Sequence, residues 1–208
     1  MNRHHFLFSV LLIVVCNLVA TAQGDFSTLD AFKKTVERGE DRISVEANGD
    51  LNGDNLEDWA GVVHSEKSNA SPTYQLYVLI QQPQGGYQVA QKSLEREIPG
   101  MGCCWVEDLR ISRGSIYIQN NAKTAATMGA ATHQFKFYKG QWRLVGIKIY
   151  YTDLSKDTSI DTDMNVLTGD VIETKSKGDG KPTITKRRKR FGLYLLKDFP
   201  FLNTFGTS

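Results

Sequence analysis

The sequence predicts a mainly β protein: an antiparallel meander, arranged as a rolled sheet, a sandwich or a propeller-like sheet, with one N-terminal helix. Three observations carry this. Apolar residues alternate along short segments, the pattern of strands with a buried face. Turns containing glycine join these segments in succession, which signals hairpins and argues against strand–helix–strand units. Helical periodicity is readable at one place only after the N-terminal apolar run.

That helix is predicted after Ser27 or Thr28, either of which can cap it, with Leu29, Phe32 and Val36 on one face and an end near Gly39. Thr73–Gln81 alternates Tyr74, Leu76, Val78 and Ile80 against Tyr77 and Leu79, so this strand is expected to be buried on both sides. Gly85-Gly86 turns it into Tyr87–Lys92. Arg113-Gly114 separates Leu109–Ile111 from Ile116–Ile118, and Lys139-Gly140 separates Gln134–Tyr138 from Trp142–Tyr151. Gly169-Asp170 divides Asn165–Leu167 from Val171-Ile172, and Gly178–Gly180 leads into Thr183–Arg190. Asn120–Ala131, small and polar, and Thr152–Asp163, rich in Asp, Ser and Thr, read as loops.

The N-terminus has the three parts of a secretory signal: Arg3 without acidic residues, an apolar run from Phe6 to Val19, and Ala20-Thr21-Ala22 as a small-x-small exit. The run is short for a ~30 Å hydrocarbon core. The expected organisation is therefore a signal peptide over 1–22 and a single β-rich domain over 23–208, periplasmic or secreted, with no transmembrane segment in the mature chain. From Gln23 onward 24 basic residues face 23 acidic ones, a balance that excludes a general affinity for nucleic acid.

The most informative stretch is Gly49-Asp50-Leu51-Asn52-Gly53-Asp54-Asn55-Leu56-Glu57-Asp58, running into Trp59–Val63. Side-chain oxygens recur at Asp50, Asn52, Asp54 and Asp58, and Leu56 offers its carbonyl, as a chain wrapping one hard cation requires. Asn55 stands where such a loop needs a left-handed residue. Over residues 49–63 the pattern resembles the calcium loops of FG-GAP and VCBS-type repeats and the EF-hand-like loops of dockerins, in which the loop leads into a β-strand. The resemblance implies a structural calcium ion. Gly61 stands where an EF-hand has its twelfth-position bidentate Glu, which implies weak binding.

Gly100-Met101-Gly102-Cys103-Cys104-Trp105 is the second feature. Its Cys-Trp resembles the nucleophile region of papain-like proteases, but no partner motif follows, and His64 and His133 are the only histidines after the leader. In an oxidising compartment Cys103 and Cys104 have only each other, so a strained vicinal disulfide is expected. The third feature is the basic run Lys186–Arg190. On a strand it would charge both faces, which protects an edge from aggregation or offers a site to an anionic surface. No serine-hydrolase elbow, phosphate loop, dinucleotide fingerprint or zinc spacing is present. The chain thus reads as a bacterial exported, non-catalytic binding or interaction module stabilised by calcium, with a protein or an anionic surface as partner. The alternative is a hydrolase whose site is assembled from dispersed loop residues, Asn120–Ala131 among them.

Overall fold

Two antiparallel sheets hold most of the chain, and one hydrophobic core lies between them. The computed structural model describes residues 25–66, 72–97 and 104–201. The predicted leader and Cys103 lie outside the described residues, as does the side chain of Cys104.

Helix α1 spans Leu29–Val36, and Thr28 caps it by accepting from the Ala31 amide at 3.1 Å. The first sheet is the meander β1 (Asp41–Gly49), β2 (Asp58–Ser65), β3 (Thr73–Gln81) and β4 (Tyr87–Lys92), with the two-residue β5 (Arg96–Glu97) pairing β3. β3 has the predicted bounds and, as expected, is apolar on both faces. Tyr74, Leu76 and Val78 enter the inter-sheet core, whereas Leu79 and Tyr77 join Phe32, Trp59 and Leu29 in a second cluster under α1. The helix is therefore a lid on the outer face of the first sheet. Gly61 lies beneath the Trp59 indole, in a position where a Cβ would overlap the ring.

The second sheet is a seven-stranded meander in chain order: β6 (Cys104–Ser112), β7 (Ser115–Lys123), β8 (Thr127–Tyr138), β9 (Gln141–Asp153), β10 (Thr158–Asn165), β11 (Asp170–Lys177) and β12 (Thr183–Arg188). The turns after β6 and β8 follow the expected chemistry. Arg113 and Gly114 have φ of 52° and 67°, and Lys139 and Gly140 have 51° and 78°, the left-handed pair that a two-residue hairpin of matching twist requires.

Both segments expected as loops are strands for most of their length. Over Asn120–Ala131 the β7–β8 hairpin continues, pairing Asn120 with Ala131 and Lys123 with Met128, and it closes where the Thr124 amide donates to the Thr127 carbonyl at 2.8 Å. Small residues lack a strand signature, but the register set by Ile116 opposite Phe135 extends through them. Thr152–Asp163 likewise contains the end of β9, a four-residue turn and most of β10. Asp153 closes that turn: its Oδ1 accepts from the Ser155 and Lys156 amides at 3.1 and 3.2 Å, and its Oδ2 accepts from Lys156 Nζ at 2.9 Å.

After β12 the chain crosses back as a strap. Leu144 donates its amide to the Tyr194 carbonyl at 3.0 Å, Leu94 donates to Lys197 at 2.7 Å, and the Asn120 side chain donates to the Phe201 carbonyl. The strap's short 3₁₀ turn, Leu196–Asp198, contacts both β4 and β9, and Leu196, Phe199 and Phe201 are buried in the shared core. No helix among the described residues is long and apolar enough to cross a membrane.

Candidate functional site

The acidic loop joins β1 to β2 and is built from side-chain caps. Asp50 Oδ1 accepts from the Asn52 and Gly53 amides at 3.2 and 2.6 Å, and Oδ2 accepts from Asn55 at 3.0 Å. These amides, Gly53 foremost, hold the Asp50 carboxyl below its ordinary pKa. Asn52 Oδ1 accepts from the Asp54 amide at 3.1 Å, and Asp54 Oδ1 accepts from Leu56 at 2.8 Å. Asn55 takes the left-handed conformation expected of it, with φ of 64°.

Asp58 behaves differently from the other three. It is 0% exposed and accepts from two backbone amides, Leu51 at 2.7 Å and Gln81 at 2.9 Å. Burial, with a smaller push from the Asp54 and Asp50 charges, raises its pKa. It ties the loop to the end of β3. Asp50, Asn52, Asp54 and Leu56 thus share one loop with Asp58 at its exit, but the side-chain oxygens of Asp50, Asn52, Asp54 and Asp58 meet amide hydrogens. No three His, Cys, Asp or Glu side chains converge as a metal-holding group among the described residues.

The basic run divides into two parts. Lys186, Arg187 and Arg188 belong to β12, whose residues are all exposed and which forms the edge of the second sheet. Arg187 pairs with Glu173 at 3.7 Å and Arg188 with Asp170 at 3.1 Å, both partners on β11. Lys189 and Arg190 begin the strap and have no ion pair among the described residues.

Between the strap and strands β8, β9 and β10 lies a cavity of about 370 Å³. Sequence reasoning missed it. Phe135, Leu144, Ile147, Ile149 and Met164 supply the sheet side, and Phe191, Leu193 and Phe199 supply the strap side. Lys189, Arg190 and Asp198 also line it. The one histidine in the lining, His133, is 1% exposed and meets the Phe199 ring edge-on, with centroids 4.8 Å apart. Neither of its ring nitrogens has a hydrogen bond of good geometry. Burial pushes its pKa down to about 4, against a smaller upward pull from the Ile118 backbone.

The run Phe191-Gly-Leu-Tyr-Leu-Leu was the available signal: an apolar segment after the last predicted strand has a reason to lie against the rest of the fold. Comparison with known proteins finds no matching family model, no matching curated protein and no matching solved structure.

Proposed function

We propose that the mature chain is a non-catalytic binding module acting outside the cytoplasm, and that the cavity beneath the strap is its binding site. The cavity itself is the observation that carries this reading. Its volume of about 370 Å³ lies within the range of ligand pockets, about 300–1,000 Å³. Its wall is mostly apolar with a few polar groups, the usual composition of a small-molecule site. Among the described residues the lining holds no Ser, Thr or Cys, and His133 hydrogen-bonds to no carboxylate, so the chemistry at hand favours binding over hydrolysis.

An uncharged fluorescent probe, phenylnaphthylamine, tests the reading. Wild type should bind it saturably with enhanced emission, and Ile149→Trp, which fills the cavity, should bind it weakly while keeping a cooperative melt. Equal binding by both proteins, or no saturable binding by wild type, would remove the cavity from the account.

A structural calcium ion in the 50–58 loop is a second, separable proposal. Its support is the alternation of oxygens at Asp50, Asn52 and Asp54 on a loop already turned at Gly53 and Asn55. Asp58 would serve that site as the anchor of the loop's exit, since it is fully buried and ties Leu51 to Gln81. The missing twelfth-position Glu places the expected affinity at about 10⁻⁴–10⁻³ M.

A further inference from the structure

The cavity has a polarity along its length. Its inner part, Phe135, Leu144, Ile147 and Phe199, is almost wholly buried and carries no charge. Among the described residues its charged lining comes from the strap: Lys189 and Arg190 at one end of that segment and Asp198 at the other. The two cations follow directly on three basic residues that do not line the cavity, and they differ from Arg187 and Arg188 in lacking a carboxylate partner among the described residues. Two cations with no ion pair among the described residues, at the edge of an apolar chamber, are placed to receive a group that is itself divided into an apolar part and an anion.

We propose that this cavity takes a single-chain amphiphile with an anionic head, the acyl chain lying against Leu144, Ile147, Ile149 and Met164 and the head group held by Lys189 and Arg190. The proposal rests on the reading of the cavity as the binding site and specifies its ligand class. The volume suits one chain, being near the lower limit for ligand pockets. The head stays at the surface, where both cations are exposed, so neither charge is desolvated to bind it. The same arrangement gives the basic run two roles. Lys186, Arg187 and Arg188 guard the edge of the sheet, and Lys189 and Arg190 serve the cavity.

Displacement of bound phenylnaphthylamine tests this. The competitors share one chain and differ in head group: dodecanoate, dodecyl phosphate, dodecanol and dodecyltrimethylammonium. Both anions should compete about tenfold better than the cation, as expected of two exposed charge contacts, and high salt should erase the difference. Whichever anion competes better identifies the head as carboxylate or phosphate. Lengthening the fatty acid from decanoate should tighten competition about fourfold per methylene, which is about 0.8 kcal/mol each, until the cavity is full. The double variant Lys189→Gln/Arg190→Gln should lose the anion preference, and Lys186→Gln/Arg187→Gln, which lies outside the cavity, should keep it. Equal competition by anion and cation, or a preference that survives in Lys189→Gln/Arg190→Gln, would overturn the proposal while leaving the cavity as a site for neutral ligands. Absence of probe binding would instead end the reading on which it rests.

Discussion

Replacing His133 with leucine should alter the response to acid more than the stability at neutral pH. The imidazole is 1% exposed, and burial pushes its pKa from 6.5 to about 4. Between those values the unfolded chain binds a proton that the folded chain excludes. Stability is therefore complete above about pH 6.5 and is lost as the pH falls towards 4. At about 1.4 kcal/mol per pKa unit, the full loss is about 3 kcal/mol. Asp58 works in the opposite direction, because a raised carboxyl pKa makes the folded chain the better proton acceptor. Comparison of His133→Leu with wild type cancels that contribution. Urea unfolding across the acid range is the assay. Wild type should lose about 3 kcal/mol more than the variant on going from neutral pH to about pH 4. At neutral pH the variant should be at least as stable, since it removes two buried nitrogens that have no hydrogen bond of good geometry among the described residues. Parallel pH profiles for the two proteins would refute the placement of a neutral imidazole in the cavity wall.

Other outcomes follow from the loop and the first sheet. Asp58→Ala leaves the Leu51 and Gln81 amides unpaired and should cost about 1–3 kcal/mol for each, seen as a lower urea midpoint, and Asp58→Asn should recover part of it. Gly61→Ala drives a methyl into the Trp59 indole, which also donates to Glu46 at 2.6 Å, and should cost about 1–3 kcal/mol with a changed near-ultraviolet spectrum. Calcium at a hundred times its dissociation constant should stabilise wild type by about 2.7 kcal/mol, and Asp54→Ala should lose that gain; identical melting midpoints with calcium and with chelator would leave the loop an acidic turn held by its own amides.

The parts of the fold that could be read from the sequence are those decided within a few residues. β3 is legible because Tyr74, Leu76 and Val78 alternate with Tyr77 and Leu79, and the tips at Arg113-Gly114 and Lys139-Gly140 because a tight hairpin demands left-handed residues. The Thr28 cap and the left-handed Asn55 are local in the same sense. The strands across Asn120–Ala131 were hidden because alanine, threonine and glycine carry no period there, and their pairing is inherited from Ile116 and Phe135 further along the hairpin. Of the candidate residues, the loop's turns were legible, but Asp58's attachment to the Gln81 amide was not, since it spans 23 residues. The cavity was least legible of all. It exists because the strap at 189–200 returns over β8, β9 and β10, and no local pattern encodes such a meeting.

The central claim is that the strap and the second sheet enclose a ligand site. Methyl NMR tests it most directly, with dodecanoate titrated into protein labelled at Ile, Leu and Met methyls. Leu144, Ile147, Ile149, Met164 and Leu193 should shift together along one saturable curve, while Leu76 and Leu79 in the first sheet stay in place. Shifts spread over both sheets, or none at the cavity methyls at saturating ligand, would contradict the account.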